Sequence, residues 1–171
     1  MTDSPSQQFR IAVVCLGNIC RSPIAESVLR RTVDQAGLSE RISVESAGTS
    51  GWHAGSDADH RARKALSTAG YSADHTARLF DSAWLSHLDL VLGMDYQNVL
   101  DLRALTSDPV EIERIRLYRS FDPVLMHLPE GDPALEVPDP YYGTQADFVQ
   151  VVEMVENATT GIIDYACLEL G

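Results

Sequence analysis

Near its start the chain passes from strand to helix through a single turn. Phe9-Arg10-Ile11-Ala12-Val13-Val14 is a short β-branched run of the kind that forms a buried strand. Pro23 suits a first helical position, and Ile24, Ala25, Val28 and Leu29 follow at helical spacing. The alternation repeats downstream. The first helix, Pro23 to Ala36, stops at Gly37, and Arg41 to Ser46 reads as a second strand. A helix is expected across Ala58 to Ala69, ended by Gly70, then a helical turn over Ser82 to His87. Leu88 to Leu92 reads as a third strand, Asp95 caps a helix reaching Leu105, and Ile115 to Tyr118 reads as a fourth strand. A long final helix runs from Thr144 to Leu168. The pattern predicts the α/β class: a single three-layer sandwich around a central four-stranded parallel sheet, open, twisted and flavodoxin-like. In such sheets ligands sit beyond the carboxyl ends of the strands, which is where Cys15 lies.

The turn between strand and helix carries a cysteine, a glycine, an asparagine, an arginine and a serine. A loop wrapping into a helix N-terminus aims several backbone N–H groups at one point, and the helix dipole adds partial positive charge there. Gly17 has no Cβ and Asn18 tolerates left-handed dihedrals, so a tight curl is accessible. Arg21 adds a planar fork of donors that matches phosphate oxygens. The product is a nest for a tetrahedral oxyanion, built from Leu16, Gly17, Asn18, Ile19, Cys20 and Ser22 around Cys15. The field that attracts phosphate also favours thiolate over thiol at Cys15, and Ser22 is able to donate a hydrogen bond to the sulfur. A thiolate beneath a bound phosphate is arranged for in-line attack and a cysteinyl-phosphate intermediate. An isolated cysteine is ordinarily a core residue; the company of Arg21, Gly17, Asn18 and Ser22 points to chemistry instead.

Cys15-Leu16-Gly17-Asn18-Ile19-Cys20-Arg21-Ser22-Pro23 resembles the phosphate-binding loop of the low-molecular-weight protein tyrosine phosphatases. Asp139-Pro140-Tyr141-Tyr142-Gly143 resembles that family's general-acid loop. The Ser46-Ala47-Gly48 turn, Trp52, the Asp74-His75 pair and Met94-Asp95 fall between them in the family's order, so the likeness runs from Phe9 to the last helix. It implies hydrolysis of phosphotyrosine and of aryl phosphates by Cys15, Arg21 and Asp139, with no metal or other cofactor. It also implies phosphotyrosine-containing proteins as partners, inhibition by phosphate-like oxyanions, and a monomer or weak dimer. Taken alone, Ser46 is a turn serine and His75 a loop histidine. The resemblance places both behind the phosphate loop, bonded to Asn18 in a network that keeps the amides convergent. Cys20 is either plain packing or, as the resemblance implies, the thiol that traps an oxidised Cys15 as a disulfide.

Asp-Pro occurs at Asp108, Asp122, Asp132 and Asp139, and most such pairs are turns. Only Asp139 precedes a Tyr-Tyr-Gly run and matches the family. Its task would be to protonate the departing phenolate and then deprotonate the water that cleaves the cysteinyl phosphate. Trp52 lies in a polar loop, where partial burial is the ordinary expectation. With Tyr141 and Tyr142 it would wall a slot deep enough for a phenyl phosphate and too deep for phosphoserine or phosphothreonine. Two features depart from the family's pattern. Val124 to Pro138 is longer than its usual connection, and Pro138 stands where an acidic residue is common. Both bear on how the acid loop moves and which proteins dock.

A length of 171 residues suits one domain over 9–171 after a disordered tail over 1–8. Thirteen basic against 25 acidic residues leave a formal charge of −12, which argues against nucleic acid and anionic membranes as partners. The nest must therefore be positive within a negative body. Cys15, Cys20 and Cys167 make neither a disulfide framework nor a zinc spacing, and Cys167 in the last helix reads as inert packing. Met1 to Gln8 lacks the apolar core of a signal peptide, and no apolar run approaches the roughly 20 residues of a membrane helix. The expected location is the reducing cytoplasm.

Rival functions separate on single features. A same-fold, thioredoxin-coupled arsenate reductase needs relay cysteines in mid-chain, and none stands between Arg21 and Tyr165. A protein-arginine phosphatase of the same family tends to carry threonine where Ile19 stands. A phosphopeptide-binding module without turnover would have lost Cys15, Arg21 or Asp139. A nucleotide-binding domain would want a glycine-rich turn and a ribose-binding acid in place of Cys15.

Overall fold

The computed structural model describes residues 7–171; the tail expected over 1–8 therefore lies, apart from Gln7 and Gln8, outside the described residues. Strands β1 (Phe9–Cys15), β2 (Ile42–Gly48), β3 (Leu90–Gly93) and β4 (Ile115–Leu117) pair in parallel in the order β2-β1-β3-β4. Along β1 the register sets Phe9 opposite Ile42 and Cys15 opposite Gly48, with Val14 opposite Gly93 on the other side.

Successive side chains of β1 point to opposite faces of the sheet, and this alternation divides the core in two. Ile11, Val13 and Cys15 face the layer of α1 (Arg21–Gln35), α2 (His60–Thr68) and, from the far end of the chain, the long C-terminal helix Gln145–Leu170. Ala12 and Val14 face the opposite layer, where Val99 and Leu102 of α3 (Tyr96–Arg103) pack with Leu85 of a short 3-10 helix, Ser82–Ser86. Ile11, Val13 and Val14 are wholly buried, and each such side chain contributes about 1.5–3 kcal/mol. A six-residue helix, α4 (Pro109–Arg114), feeds directly into β4, which leaves the C-terminal helix as α5. The chain leaves β1 for β2 on one side and later returns to β3 on the other. The carboxyl end of β1 is therefore a switch point, with a crevice beyond it.

Several boundaries differ from those expected. Helix α1 begins at Arg21 rather than Pro23, because Ile24 N already bonds to Cys20 O at 3.3 Å. Pro23 sits inside the first turn, where a missing N–H forfeits no helical bond. Asp108-Pro109 and Asp132-Pro133, read as turns, instead start α4 and a 3-10 helix over Pro133–Leu135. In each the Asp side chain accepts from the N–H two residues on while Pro supplies a helical φ. Cys167 is exposed rather than packed, because its neighbour Ala166 takes the buried face of α5 and one residue of helix turns the thiol away.

Candidate active site

Cys15 ends β1 at 3% exposure, and the chain curls over the sheet edge before α1 begins. The curl turns on Asn18, whose φ of 55° is the one left-handed non-glycine conformation among the described residues. The loop's carbonyls are held from outside. Cys15 O accepts from Thr49 N and Leu16 O from Ser50 N, both at 2.9 Å, and Ile19 O from Asp59 N at 2.8 Å. Asn18 O accepts from His75 Nε2 at 2.7 Å. Across a trans peptide the next N–H points the opposite way, so the amides of Leu16, Gly17, Ile19 and Cys20 turn inward. Asn18 N donates to Cys15 Sγ at 3.3 Å. Helix α1 has no side-chain cap and no acidic residue in its first turn, which leaves its leading amides to an anion. Gly48 makes the curl possible: a Cβ there would stand 2.7 Å from Leu16 O and 3.2 Å from Asn18 N.

Ser22 Oγ lies 3.0 Å from the sulfur and accepts from Asn18 Nδ2 at 2.8 Å. Its own proton is within reach of Cys15 Sγ and of Ala47 O, 3.5 Å away; a thiolate at Cys15 has no proton to give and accepts it. Asn18 Nδ2 also donates to Ser46 Oγ at 3.0 Å, and Asn18 Oδ1 accepts from Arg78 N at 2.9 Å. Ser46 donates onward to Glu26, whose carboxylate stands 3.5 Å from His75 Nδ1. A carbonyl only accepts, so His75 Nε2 carries the proton toward Asn18 O. The circuit from Glu26 through Ser46, Asn18 and His75 is closed. Burial pushes the Glu26 carboxyl up, but hydrogen bonds to His75 and Ser46 and the charge of Arg30 outweigh it and hold the group below the usual carboxylate range.

Arg21 is buried to the same degree as Cys15. Its Nη1 donates to Asp95 Oδ2 at 2.6 Å and to Val137 O at 3.0 Å, while Nη2 stands 3.6 Å from Asp139 Oδ2. Burial works against the charged guanidinium, yet Cys15, Asp95 and Asp139 together raise its pKa above the usual value and keep it charged. Val137 N donates to Met94 O at 2.8 Å, so the residues leading to Asp139 are tied to the end of β3. Asp139 is partly exposed, and its Oδ1 accepts from Tyr141 N at 3.1 Å. Above Cys15 opens a cavity of about 230 Å³. Its floor is Cys15, Leu16, Gly17, Ile19, Cys20 and Arg21, and its walls are Trp52, His53, Asp139, Tyr141 and Tyr142. Among the described residues no cluster of His, Cys, Asp and Glu is disposed to hold a metal ion.

The family model of the Low molecular weight phosphotyrosine protein phosphatase matches residues 10–168. The chain belongs to this family. A low molecular weight protein-tyrosine-phosphatase of Streptomyces coelicolor is 46% identical over 155 residues, spanning 91% of this chain and 92% of its own. The Low molecular weight phosphotyrosine protein phosphatase of Homo sapiens is 34% identical over 157 residues, spanning 91% and 94%. A crystal structure of a protein tyrosine phosphatase from Entamoeba histolytica superposes with a TM-score of 0.85 at 31% identity, covering 95% of this chain and 99% of that one.

In this member of the low-molecular-weight phosphatases the cavity gathers every expected contact residue except Asn18 and Ser22, which lie fully buried behind the loop. Trp52 and Tyr142 line the cavity but are 82% and 96% exposed, so they stand at its mouth rather than closing a tight slot. Ser46 meets the side-chain amide of Asn18 and His75 its backbone carbonyl. Four roles escape the sequence reading. Asp95 is legible as a helix cap and as part of the Met94-Asp95 match, but nothing in the sequence shows its bond to Arg21; Glu26 is an unremarkable glutamate on an amphipathic helix. His53 beside Trp52 carries no motif, nor does Arg61, which donates to the carbonyls of Tyr141 and Gly143.

Proposed function

We propose that this protein hydrolyses phosphotyrosine in proteins, and aryl phosphate monoesters generally, through a phosphorylated Cys15. The phosphoryl group binds to the inward amides and to Arg21, with the aromatic ring leaving the cavity past Ile19, Trp52 and Tyr141. The Cys15 thiolate attacks phosphorus in line, the bond to the phenolic oxygen breaks, and protonated Asp139 delivers its proton to that oxygen. Asp139, now a carboxylate, takes a proton from water. The resulting nucleophile attacks phosphorus, the S–P bond breaks, and the electron pair returns to Cys15 under the hydrogen bond from Ser22. Inorganic phosphate leaves. No metal is assigned a part, and oxyanions shaped like phosphate compete for the same cradle.

The observation that carries this reading is the sulfur's position, 3.0 Å from Ser22 Oγ and 3.3 Å from Asn18 N, beneath inward-turned amides and beside a buried arginine. Such a site stabilises a thiolate and a phosphoryl group in turn. Residues 9–171 act as one catalytic domain, working as a monomer or weak dimer. No helix among the described residues is long and apolar enough to cross a membrane. We assign the protein to the cytoplasm, where thiols stay reduced. The test is rapid acid quench with radiolabelled aryl phosphate, followed by peptide mapping. Label is expected on Cys15 and absent in Cys15→Ser; label on another side chain would overturn the assignment.

A further inference from the structure

Helix α2 stands between the phosphate loop and the acid loop and is bonded to both. Its cap, Asp59, donates its backbone N–H to Ile19 O at 2.8 Å. The Asp59 carboxylate then grips Arg61 in two places, Oδ1 from Nε at 3.1 Å and Oδ2 from Nη2 at 3.0 Å. The rest of the guanidinium reaches the acid loop: Nη2 donates to Tyr141 O at 2.8 Å and Nη1 to Gly143 O at 3.1 Å. The guanidinium carbon sits 4.5 Å from the centroid of the Phe148 ring on α5. Gln145 Nε2 closes the contact from the far side by donating to Arg61 O at 3.0 Å. One side chain therefore satisfies two carbonyls that flank Tyr142 and refers them to the carbonyl of Ile19 in the cradle.

We propose that Asp59 and Arg61 form a strut that fixes the height of the acid loop above the phosphate loop, making Arg61 a positioning residue for Asp139. This rests on the reading of Asp139 as general acid. An ordinary exposed ion pair at a helix start would be worth little and would need no contact with the loop. Here the fork geometry matters, because a single ammonium cannot grip Asp59 in two places while donating to two diverging carbonyls. Without the strut the loop keeps its ties at Val137 and at the capping box of α5 and the 3.6 Å ion pair of Asp139 with Arg21, but the carbonyls of Tyr141 and Gly143 lose their anchor and Asp139 is less closely held at the leaving oxygen.

A poorly placed acid harms substrates in proportion to how much their leaving group needs a proton. The experiment measures kcat/KM for phosphotyrosine, phenyl phosphate and an activated dinitrophenyl phosphate in Arg61→Met, Arg61→Lys, Asp139→Asn and the double variant Arg61→Met with Asp139→Asn. General acid–base help is typically worth about 10²–10⁴, so Arg61→Met is expected to lose about tenfold or more on phosphotyrosine and phenyl phosphate and less than about threefold on the activated ester. Arg61→Lys keeps charge without the fork and is expected to show the same selective loss. Inhibition by inorganic phosphate is expected to stay within about twofold of the parent, since the cradle is untouched. Adding Arg61→Met to Asp139→Asn is expected to cost little more, because both act through one proton transfer. Equal loss on all three substrates, additive loss in the double variant, or no loss overturns the strut. Full activity in Asp139→Asn overturns instead the acid assignment on which the strut depends.

Discussion

Asp95 holds Arg21 with one carboxylate oxygen and starts a helix with the other: Oδ2 accepts from Arg21 Nη1 at 2.6 Å, Oδ1 from Asn98 N at 2.7 Å. The side chain that caps α3 thereby aims the guanidinium of a residue on the opposite layer. Asparagine is as good an N-cap as aspartate but carries no charge. Asp95→Asn is therefore expected to leave α3 intact by circular dichroism while raising the inhibition constant of vanadate about tenfold, the loss of a hydrogen bond to a charged group. Unchanged vanadate binding would mean that Arg21 needs no anchor.

Ser22 Oγ stands 3.0 Å from the Cys15 sulfur, and in the proposed reaction it is expected to act when sulfur must leave. A hydrogen bond to a charged group is worth about 1.5–3 kcal/mol, so Ser22→Ala should slow breakdown of the cysteinyl phosphate about ten- to a hundredfold. Quench-flow with an aryl phosphate is expected to show a phenol burst followed by a slow steady state. A fall in the burst rate alone, with steady turnover preserved, would place the hydroxyl in the first step instead.

Gly48 bears the phosphate loop across it. A methyl group 2.7 Å from Leu16 O must displace backbone, and overpacking of this kind costs about 1–3 kcal/mol. Gly48→Ala is expected to lower the urea midpoint and to weaken phosphate inhibition together. Substitution at Gly37, where a Cβ has nothing within 4 Å but φ is +69°, should lower stability and leave inhibition alone.

Glu26 titrates below its unfolded value, about 4.3 for a free glutamate, so it contributes stability that is present above that pH and is lost as pH falls through the folded value. Glu26→Gln should be less stable than the parent at pH 7, with the gap closing below about pH 4. Parallel stability curves from pH 7 to pH 3 would show that the circuit through Ser46 and His75 does not favour the charged carboxylate.

Burial pushes the Cys20 thiol up, and the nearby charges of Asp59, Cys15 and Asp139 add to it, so Cys20 is a protonated thiol through the neutral range. A disulfide forms by thiolate attack, with release of water when the partner is a sulfenic acid. After brief peroxide treatment, the bridge between Cys15 and Cys20 is expected to form faster as pH rises from 6 to 9, with more Cys15 sulfinic acid at the lower pH. Mass spectrometry after alkylation reads both. Bridge formation independent of pH would exclude Cys20 as the attacking thiol.

The sheet and the cradle are legible in sequence because their signals are local. The β-branched run before Cys15, the Gly17-Asn18 curl, the cap at Asp95 and the stops at Gly37 and Gly70 all express backbone preferences within a few residues. The Asp-Pro pairs are ambiguous for the same reason. A turn and a helix start share their first two dihedrals, and only the following backbone tells Asp108 and Asp132 from Asp122.

The amino-acid order alone determined the α/β alternation and the phosphate loop with Cys15 and Arg21 at its ends, since each is written in runs of residues close together in the chain. The tertiary structure decided which side chains hold that loop: Asp95 on Arg21, Glu26 and His75 behind Asn18, Arg61 across to Tyr141 and Gly143. Those pairings join elements far apart in the chain. They exist because the parallel register and the two packed layers bring the groups within hydrogen-bonding distance; at Arg21 and Asn18 the site is buried, and a buried charge or amide must find its partner there, whereas Arg61 makes its contacts nearer the surface.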